Sequence, residues 1–506
     1  MSQAAALAQK LIKARPILRF LGAVCVGLVA ALGQAPWELW PLTIAALALL
    51  YGLYLSTTTW RQATMLGLSA GIGYFALALN WIVEPFFVDF ARHGWMAPFA
   101  IVLLSIGMGL FWAVPFGIAR RFGGGALPWI AGLVLFEVLR GTLFTGFPWA
   151  QIGHVLIASP LLHWASWGGA LLLILIVLGA SVILWHFISD NRTFGALGIL
   201  VFGALYGGGL ALKPNAAAGP DAPIVRIVQP NAPQHEKWDP EMIPVFFKRQ
   251  VDFTAASGDQ GRPDLIVWPE TAIPYMLDNA GPALDIIHRA AAGTPVVLGL
   301  RRNEGRRFFN SLIYLDEAGQ ISAQYDKHHL VPFGEYMPFG DTLSRWGISG
   351  LAASNGSGFS AGPGPELVDI GELGSALPLI CYEGVFARNL LAAPERAEML
   401  LMITNDAWFG QASGPYQHLA QARLRSVEQG LPMIRAANTG VSAMIDGAGD
   451  LSGSIALGEA GFLDLTLPPS LPETIYARVG DGPIILFAST LMLLSFISAR
   501  KQRAAS

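Results

Sequence analysis

Ser375-ALPLI-Cys381-YEGV-Phe386 is the stretch that decides how this chain reads. A short apolar run, Ala376 to Ile380, passes straight into Cys381, Tyr382, Glu383 and Gly384. That pattern predicts a buried strand ending in a sharp turn, with the thiol presented at the strand's end. A lone cysteine is also a good small hydrophobe for a core, so its meaning depends on the rest of the chain.

The chain around it is too apolar to be a water-soluble enzyme throughout. Its 506 residues are 53% hydrophobic and 13% charged, with a mean hydropathy of +0.48, so part of the chain is expected to lie in lipid. A formal charge of -3 and a pI near 6.3 give no basic field for a polyanion, which sets nucleic acid aside. The 2 cysteines are Cys25, inside an apolar run, and Cys381; they make neither a disulfide framework nor a metal cage.

Eight apolar stretches approach the ~20 residues a bilayer crossing requires. They are Ile17 to Gly33, Leu39 to Leu55, Ala63 to Val83, Trp95 to Ile118, Ala126 to Leu139, Leu161 to Phe187, Phe194 to Leu212 and Pro483 to Ser498. In the first, Lys10, Lys13, Arg15 and Arg19 precede the apolar run Phe20 to Leu32, which is read as a retained helix in preference to a cleaved signal peptide, because further stretches follow at once. Arg61, Arg120, Arg121, Arg192, Arg500, Lys501 and Arg503 fall in alternate connections or after the last stretch. The positive-inside rule then puts both termini in the cytoplasm and the long connection outside it. The expected domains are residues 1–212 in the membrane, 213–481 as an extracytoplasmic domain, and 482–506 as a last helix and cytoplasmic tail. Glu84, Glu137 and Arg140 are read as interfacial, the alternative being a lipid path, since charge within lipid is costly.

After the linker Lys213 to Pro223 the apolar residues come in strand-length runs. Ile224 to Val228, Leu265 to Trp268, Val296 to Leu300, Ser311 to Leu315, Ile321 to Tyr325, Leu377 to Ile380, Leu400 to Thr404 and Ser442 to Ile445 are predicted strands. Ile243 to Ala256, Ala283 to Ala292 and Gln417 to Gly430 are predicted helices, so the domain is α/β. Glu270, Lys327 and Cys381 each stand at the C-terminal end of a predicted strand, where such domains place reactive groups. Their chemistry is complementary. A thiol is only slightly ionised at neutral pH, a carboxylate takes its proton, and an ammonium steadies the thiolate and the oxyanion formed when an acyl carbonyl is attacked.

At this point the residues resemble a known family. WPET with Glu270, YDKHHLVPFGEYMP with Lys327 and CYEGVF with Cys381 are similar to the Glu-Lys-Cys motifs of the nitrilase superfamily. Seven apolar stretches, such a domain and one last stretch resemble the apolipoprotein N-acyltransferase family over essentially the whole chain. The resemblance implies a nitrilase-like αββα sandwich on an eight-helix membrane domain, with Glu270 as general base, Lys327 as oxyanion stabiliser and Cys381 as nucleophile. It associates Glu335, Tyr382 and Glu383 with the site and Trp238 with substrate entry. It implies ping-pong transfer of an acyl chain from a phospholipid, phosphatidylethanolamine being the expected donor, to the α-amine of a diacylglyceryl-cysteine lipoprotein. No cofactor and a monomer in a bacterial inner membrane are expected.

Physical logic agrees with a membrane surface site, because acyl chains leave lipid at a cost of about 0.8 kcal/mol per methylene. Val331 to Phe339, Trp346 to Leu351 and Trp408-Phe409 are apolar enough to shield a thioester from water, or else to pack a core. His328-His329 point to opposite faces of an extended segment and are not read as a zinc site. Asn405 and Asp406 are read as structural polar groups at a turn, the alternative being that they line the pocket. Two rival functions remain at this point: a membrane-anchored amidohydrolase, and a transporter or receptor whose outer domain binds ligand.

Overall fold

The structure is a computed structural model that describes residues 16–189, 192–258, 260–338 and 358–505. It divides into two compact units, one of Met1–Val83, Trp95–Lys213 and Thr474–Ser506, the other of Glu84–Gly94 and Pro214–Glu473.

The first unit is helical. Each of the eight apolar stretches forms helix over most of its length, including Pro16–Ala31, Trp40–Leu55, Trp60–Ala78, Ala126–Thr142 and Ala165–Ser189. Among the described residues, 4 helices are long and apolar enough to cross a membrane: Phe90–Arg121, Pro160–Ser189, Thr193–Leu212 and Gly482–Gln502. The bent pair Trp60–Ala78 and Asn80–Phe87 would add a fifth. Charge inside this unit is paired and put to structural use. Glu137 and Arg140, expected at an interface, are buried 3 residues apart on one helix as an ion pair of 2.5 Å. Arg140 Nη1 also donates to the carbonyls of Phe147 (2.5 Å) and Trp149 (2.8 Å). Gln34 Nε2 serves the Gln151 carbonyl at 2.9 Å and the Tyr74 hydroxyl at 2.6 Å. The non-helical backbone after Thr142 thus has its buried carbonyls satisfied by side chains, as burial demands.

The second unit holds two six-stranded sheets. The first has the order β12-β1-β2-β3-β4-β5, from β1 (Ile224–Gln229), β2 (Leu265–Val267), β3 (Val296–Glu304), β4 (Arg307–Leu315), β5 (Ile321–Asp326) and β12 (Gly461–Thr466). The second has the order β11-β10-β9-β8-β7-β6, from β6 (Val368–Asp369), β7 (Ser375–Ile380), β8 (Met399–Thr404), β9 (Met433–Ala437), β10 (Ser442–Ile445) and β11 (Leu451–Ile455). Strands β1, β2 and β3 run parallel, as do β7, β8 and β9. Helices Ile243–Ala255 and Gly281–Ala291 cover the first sheet through Phe247, Val251, Ile287 and Ala291, which meet Ile266, Trp268 and Leu298. Helix Gly414–Gln429 covers the second, with Leu419 and Ala422 against Leu400 and Met402. The result is an αββα sandwich, in which alternate residues of each strand face the other sheet or a helix.

Four strands lay outside the expectation, and their sequences explain it. The run of β9, MIRAA, is interrupted by Arg435, which is fully buried. β11 is rich in small polar residues, β12 carries Asp464, and β6 is 2 residues long. Asp464 pairs across the sheet with Arg226 of β1 at 2.7 Å, so a buried ion pair fixes that register. Bidentate guanidinium–carboxylate geometry makes such a pair directional.

Candidate active site

Three strand ends carry the reactive groups to one place. Glu270 follows β2, Lys327 follows β5 and Cys381 follows β7, and all three side chains are buried. Lys327 Nζ lies 3.8 Å from Glu270 Oε1 and 2.8 Å from Glu335 Oε1, bridging two carboxylates. The charges of Glu270 and Lys327 both act on the Cys381 thiol.

The backbone at these points is strained in a patterned way. Thr271, Phe333 and Cys381 are non-glycine residues with φ of 46°, 64° and 54°. One adjoins Glu270, one lies two residues before Glu335, and the third is the cysteine itself. A left-handed residue with a Cβ costs roughly 1–2 kcal/mol and persists only where its surroundings over-determine it, a pattern that concentrates at reactive sites. Gly299 of β3 makes room for the first of these. A Cβ there would meet Thr271 N at 2.6 Å and Glu270 Cα at 2.7 Å, so only glycine lets the Glu270 backbone lie against the strand.

Glu270 is held from both sheets. Its Oε1 accepts from Asn310 Nδ2 of β4 at 2.6 Å, and its Oε2 from the backbone N–H of Asn405, after β8, at 2.8 Å. Burial pushes its pKa up, and Lys327 pulls it back without fully offsetting that. Burial works against the Lys327 ammonium, but Glu335 and Glu270 outweigh it and hold the lysine above its usual value. Burial, followed by the charge of Glu270, raises the Cys381 thiol, against the pull of Lys327. The resting site is therefore an ammonium between carboxylates beside a neutral thiol. Glu270, whose proton affinity burial raises, is the carboxylate whose charge acts on that thiol.

The supporting residues act in ways their positions in sequence did not reveal. Glu335 holds Lys327 directly and anchors its own loop, its Oε2 accepting from the Val331 N–H at 2.8 Å. Glu383 is a clasp between sheets. Its Oε2 accepts from Ile380 N at 2.7 Å, while Oε1 accepts from His328 N (2.8 Å), His329 N (3.2 Å) and the Tyr325 hydroxyl (3.0 Å). The cysteine turn is thereby tied to the segment that carries Lys327. Tyr382 packs edge-on against His329 and Phe386. His328 Nδ1 lies 2.7 Å from Glu383, and the His329 ring stacks on Phe386 with centroids 3.8 Å apart, so both histidines have packing roles. Trp238 is partly exposed, with the Arg301 guanidinium 4.6 Å from its ring centroid. Its neighbour Lys237 is the residue of that segment that reaches the site, donating to the Glu270 carbonyl at 3.2 Å and to Thr271 Oγ1 at 3.0 Å. A cavity lined by Trp238, Phe246, Pro269 and Thr271 borders this segment, but Glu270, Lys327 and Cys381 are not among its lining residues.

Asn405 and Asp406 do more than close a turn. Asn405 supplies the N–H that holds Glu270, and its side chain bonds Gln234 and Asn438 at 2.8 Å each. Asp406 Oδ1 accepts from Thr404 Oγ1 and faces His418 Nδ1, both at 2.8 Å, and its Oδ2 accepts from Arg435 at 2.5 Å. Burial opposes ionisation of Asp406, yet Arg435 and then His418 outweigh it and hold its pKa down to about 2. Of the expected lids, Phe333 in Val331–Pro338 is exposed, Phe409 is packed against the His418 ring, and Phe339 and Trp346 to Leu351 lie outside the described residues.

A cysteine, a lysine and glutamates thus meet at the strand ends of an αββα sandwich, and the carbon-nitrogen hydrolase family model matches residues 225–473 of it. The apolipoprotein N-acyltransferase N-terminal domain matches residues 26–209. Two apolipoprotein N-acyltransferases illustrate the full-length likeness. That of Sinorhizobium medicae (strain WSM419) is 36% identical over 494 residues, covering 92% of this chain and 93% of the relative. That of Rhodopseudomonas palustris (strain ATCC BAA-98 / CGA009) is 34% identical over 509 residues, covering 94% and 95%. Among solved structures, an amidase from Nesterenkonia sp. aligns at 19% identity and a TM-score of 0.38, covering 53% of this chain and 98% of that one. The chain belongs to the apolipoprotein N-acyltransferase family.

Proposed function

We propose that this protein transfers a fatty acyl chain from a membrane phospholipid, through a thioester on Cys381, to the N-terminal amine of a diacylglyceryl-cysteine lipoprotein. The observation that carries this reading is the meeting of Glu270, Lys327 and Cys381 from three separate strand ends, in a chain that matches N-acyltransferases along nearly its whole length. In the first half-reaction Glu270 takes the thiol proton as sulfur attacks the ester carbonyl carbon. Lys327 stabilises the oxyanion, and collapse expels the lysophospholipid alkoxide, which leaves with the proton from Glu270. In the second, the lipoprotein amine attacks the thioester and gives a proton to Glu270. The amide forms, and the thiolate leaves and is reprotonated. Each half is general acid–base and nucleophilic catalysis with matched proton affinities.

Phosphatidylethanolamine is the proposed donor, and a monomer the proposed state. The proposed setting is a bacterial inner membrane crossed eight times. Residues 1–212 and 482–506 belong to the membrane part, both termini are cytoplasmic, and residues 213–481 form the periplasmic catalytic domain. Support for the topology is the fall of Arg61, Arg120, Arg121, Arg192 and the Arg500 to Arg503 cluster in alternate connections. The test is incubation with phosphatidylethanolamine and a diacylated lipopeptide. Triacylated lipopeptide with stoichiometric lysophospholipid is the expected result; free fatty acid with unmodified lipopeptide would identify a hydrolase instead.

A further inference from the structure

The nucleophile's own carbonyl is the end of a buried polar chain that the two half-reactions do not use. His418 Nε2, on helix Gly414–Gln429, lies 3.2 Å from the Cys381 carbonyl oxygen. His418 Nδ1 faces Asp406 Oδ1 at 2.8 Å and Arg435 Nη2 at 3.3 Å. Arg435 is itself fixed by Asp406, by the Val441 carbonyl at 3.2 Å and by Met402 Sδ at 3.0 Å. The side chains of Asp406, His418 and Arg435 are 0% exposed, so none of these contacts competes with water. Gly440 admits the carboxylate, since a Cβ there would stand 2.3 Å from Asp406 Oδ2.

We infer that His418 is a positioning residue for the acyl transfer, donating from Nε2–H to the Cys381 carbonyl and so holding the cysteine in the left-handed turn that aims its sulfur. The inference rests on Cys381 being the nucleophile. Both ring nitrogens face acceptors, Nδ1 the Asp406 carboxylate and Nε2 the Cys381 carbonyl, so the hydrogen placement that satisfies both contacts is the imidazolium. Asp406 favours that form against the burial and the Arg435 charge that hold the ring's pKa below its usual value. Nε2 then bears the hydrogen that meets the carbonyl. Peptide planarity then transmits the constraint. A fixed carbonyl fixes the plane after Cys381, and so its ψ, in a residue whose φ of 54° already lies in the left-handed region a cysteine would otherwise leave. Glu383 grips the turn from its other side through Ile380 N, so the sulfur-bearing residue is clamped on both flanks.

Two amide variants separate position from mere occupancy. His418→Gln places its amide nitrogen at about the reach of Nε2, whereas His418→Asn stops near Nδ1, short of the carbonyl. The full chain in detergent is given phosphatidylethanolamine, and the burst of acyl-enzyme is timed by rapid quench and intact mass, normalised to the folded fraction from a thermal melt. His418→Gln is expected to keep the acylation rate within about threefold of the wild type, and His418→Asn to lose about tenfold or more, the ~1–2 kcal/mol of a buried hydrogen bond. The loss should fall on kcat with the KM for phospholipid unchanged. Equal rates in the two variants, whether both normal or both impaired, overturn the inference. Failure of the wild type to acquire an acyl group overturns the underlying reading of Cys381 instead.

Discussion

Removing the charge of Glu383 should loosen the site without touching any group that meets substrate. In Glu383→Gln one carboxylate oxygen becomes an amide, so either Ile380 N–H or the His328, His329 and Tyr325 donors face a donor in place of an acceptor. A hydrogen bond to a charged group contributes about 1.5–3 kcal/mol, and breaking one member of a buried ion pair, here with His328, costs about 3–5 kcal/mol. Taking about 3–5 kcal/mol as the loss, and about 2–4 °C per kcal/mol for a domain of this size, the melting temperature should fall by roughly 6–20 °C. The sign of the pH dependence follows from the charge. Burial pushes the Glu383 pKa up, but the bond and charge of His328 outweigh it and leave it below the ordinary 4.5. A depressed folded pKa means stability that is present above the unfolded value and lost as pH falls through the folded one. The wild type should therefore lose stability below pH 4.5 more steeply than the variant. Near-UV circular dichroism melts of the detergent-solubilised protein at pH 7 and pH 4 give the comparison. A melting temperature within about 2 °C of the wild type at pH 7, with unchanged acylation of Cys381, would refute the clasp.

Further expectations can be checked on the same preparation. Glu270→Gln should slow acyl-enzyme formation by about 10²–10⁴-fold at neutral pH, since the thiol is not ionised at rest; a smaller effect would remove Glu270 from the role of base. Gly299→Ala drives a methyl into the Glu270 backbone and should cost about 1–3 kcal/mol with loss of acylation, read by melting and intact mass, while Gly461→Ala, also in a strand but with open space around it, is the control. Burial lowers Lys237 to about 8, so its folded state sheds a proton that the unfolded chain keeps, and it adds to stability as pH rises from about 8 towards 10.5. Lys237→Met should flatten that rise in melting temperature, and an unchanged pH profile would contradict the assignment.

The strand ends that bring Glu270, Lys327 and Cys381 together were legible in the strand-like runs that precede them: DLIVWP before Glu270, ISAQYD before Lys327, LPLI before Cys381. A strand's end is fixed by where its hydrophobic pattern stops, so strand-end chemistry can be read locally. What holds those residues could not be read that way. Asn310 sits in the middle of a buried strand, and Arg435 in the middle of another, where polar residues weaken the strand signal. His418 lies on a helix whose composition reads as a solvated face, yet Gln417, His418, Gln421, Arg425 and Glu428 are all buried there. Their partners lie on other strands and loops, and no local pattern encodes a contact across two sheets. Phe409, read as either a lid or a core residue, is the packing partner of His418.

The most direct test of the account is the mass of the intact protein after exposure to phosphatidylethanolamine alone. The account predicts a gain of one fatty-acyl group on Cys381, absent in Cys381→Ser and discharged when a diacylated lipopeptide amine is added. A protein that acylates the lipopeptide while never carrying the acyl group, or that does so equally well as Cys381→Ser, would contradict it.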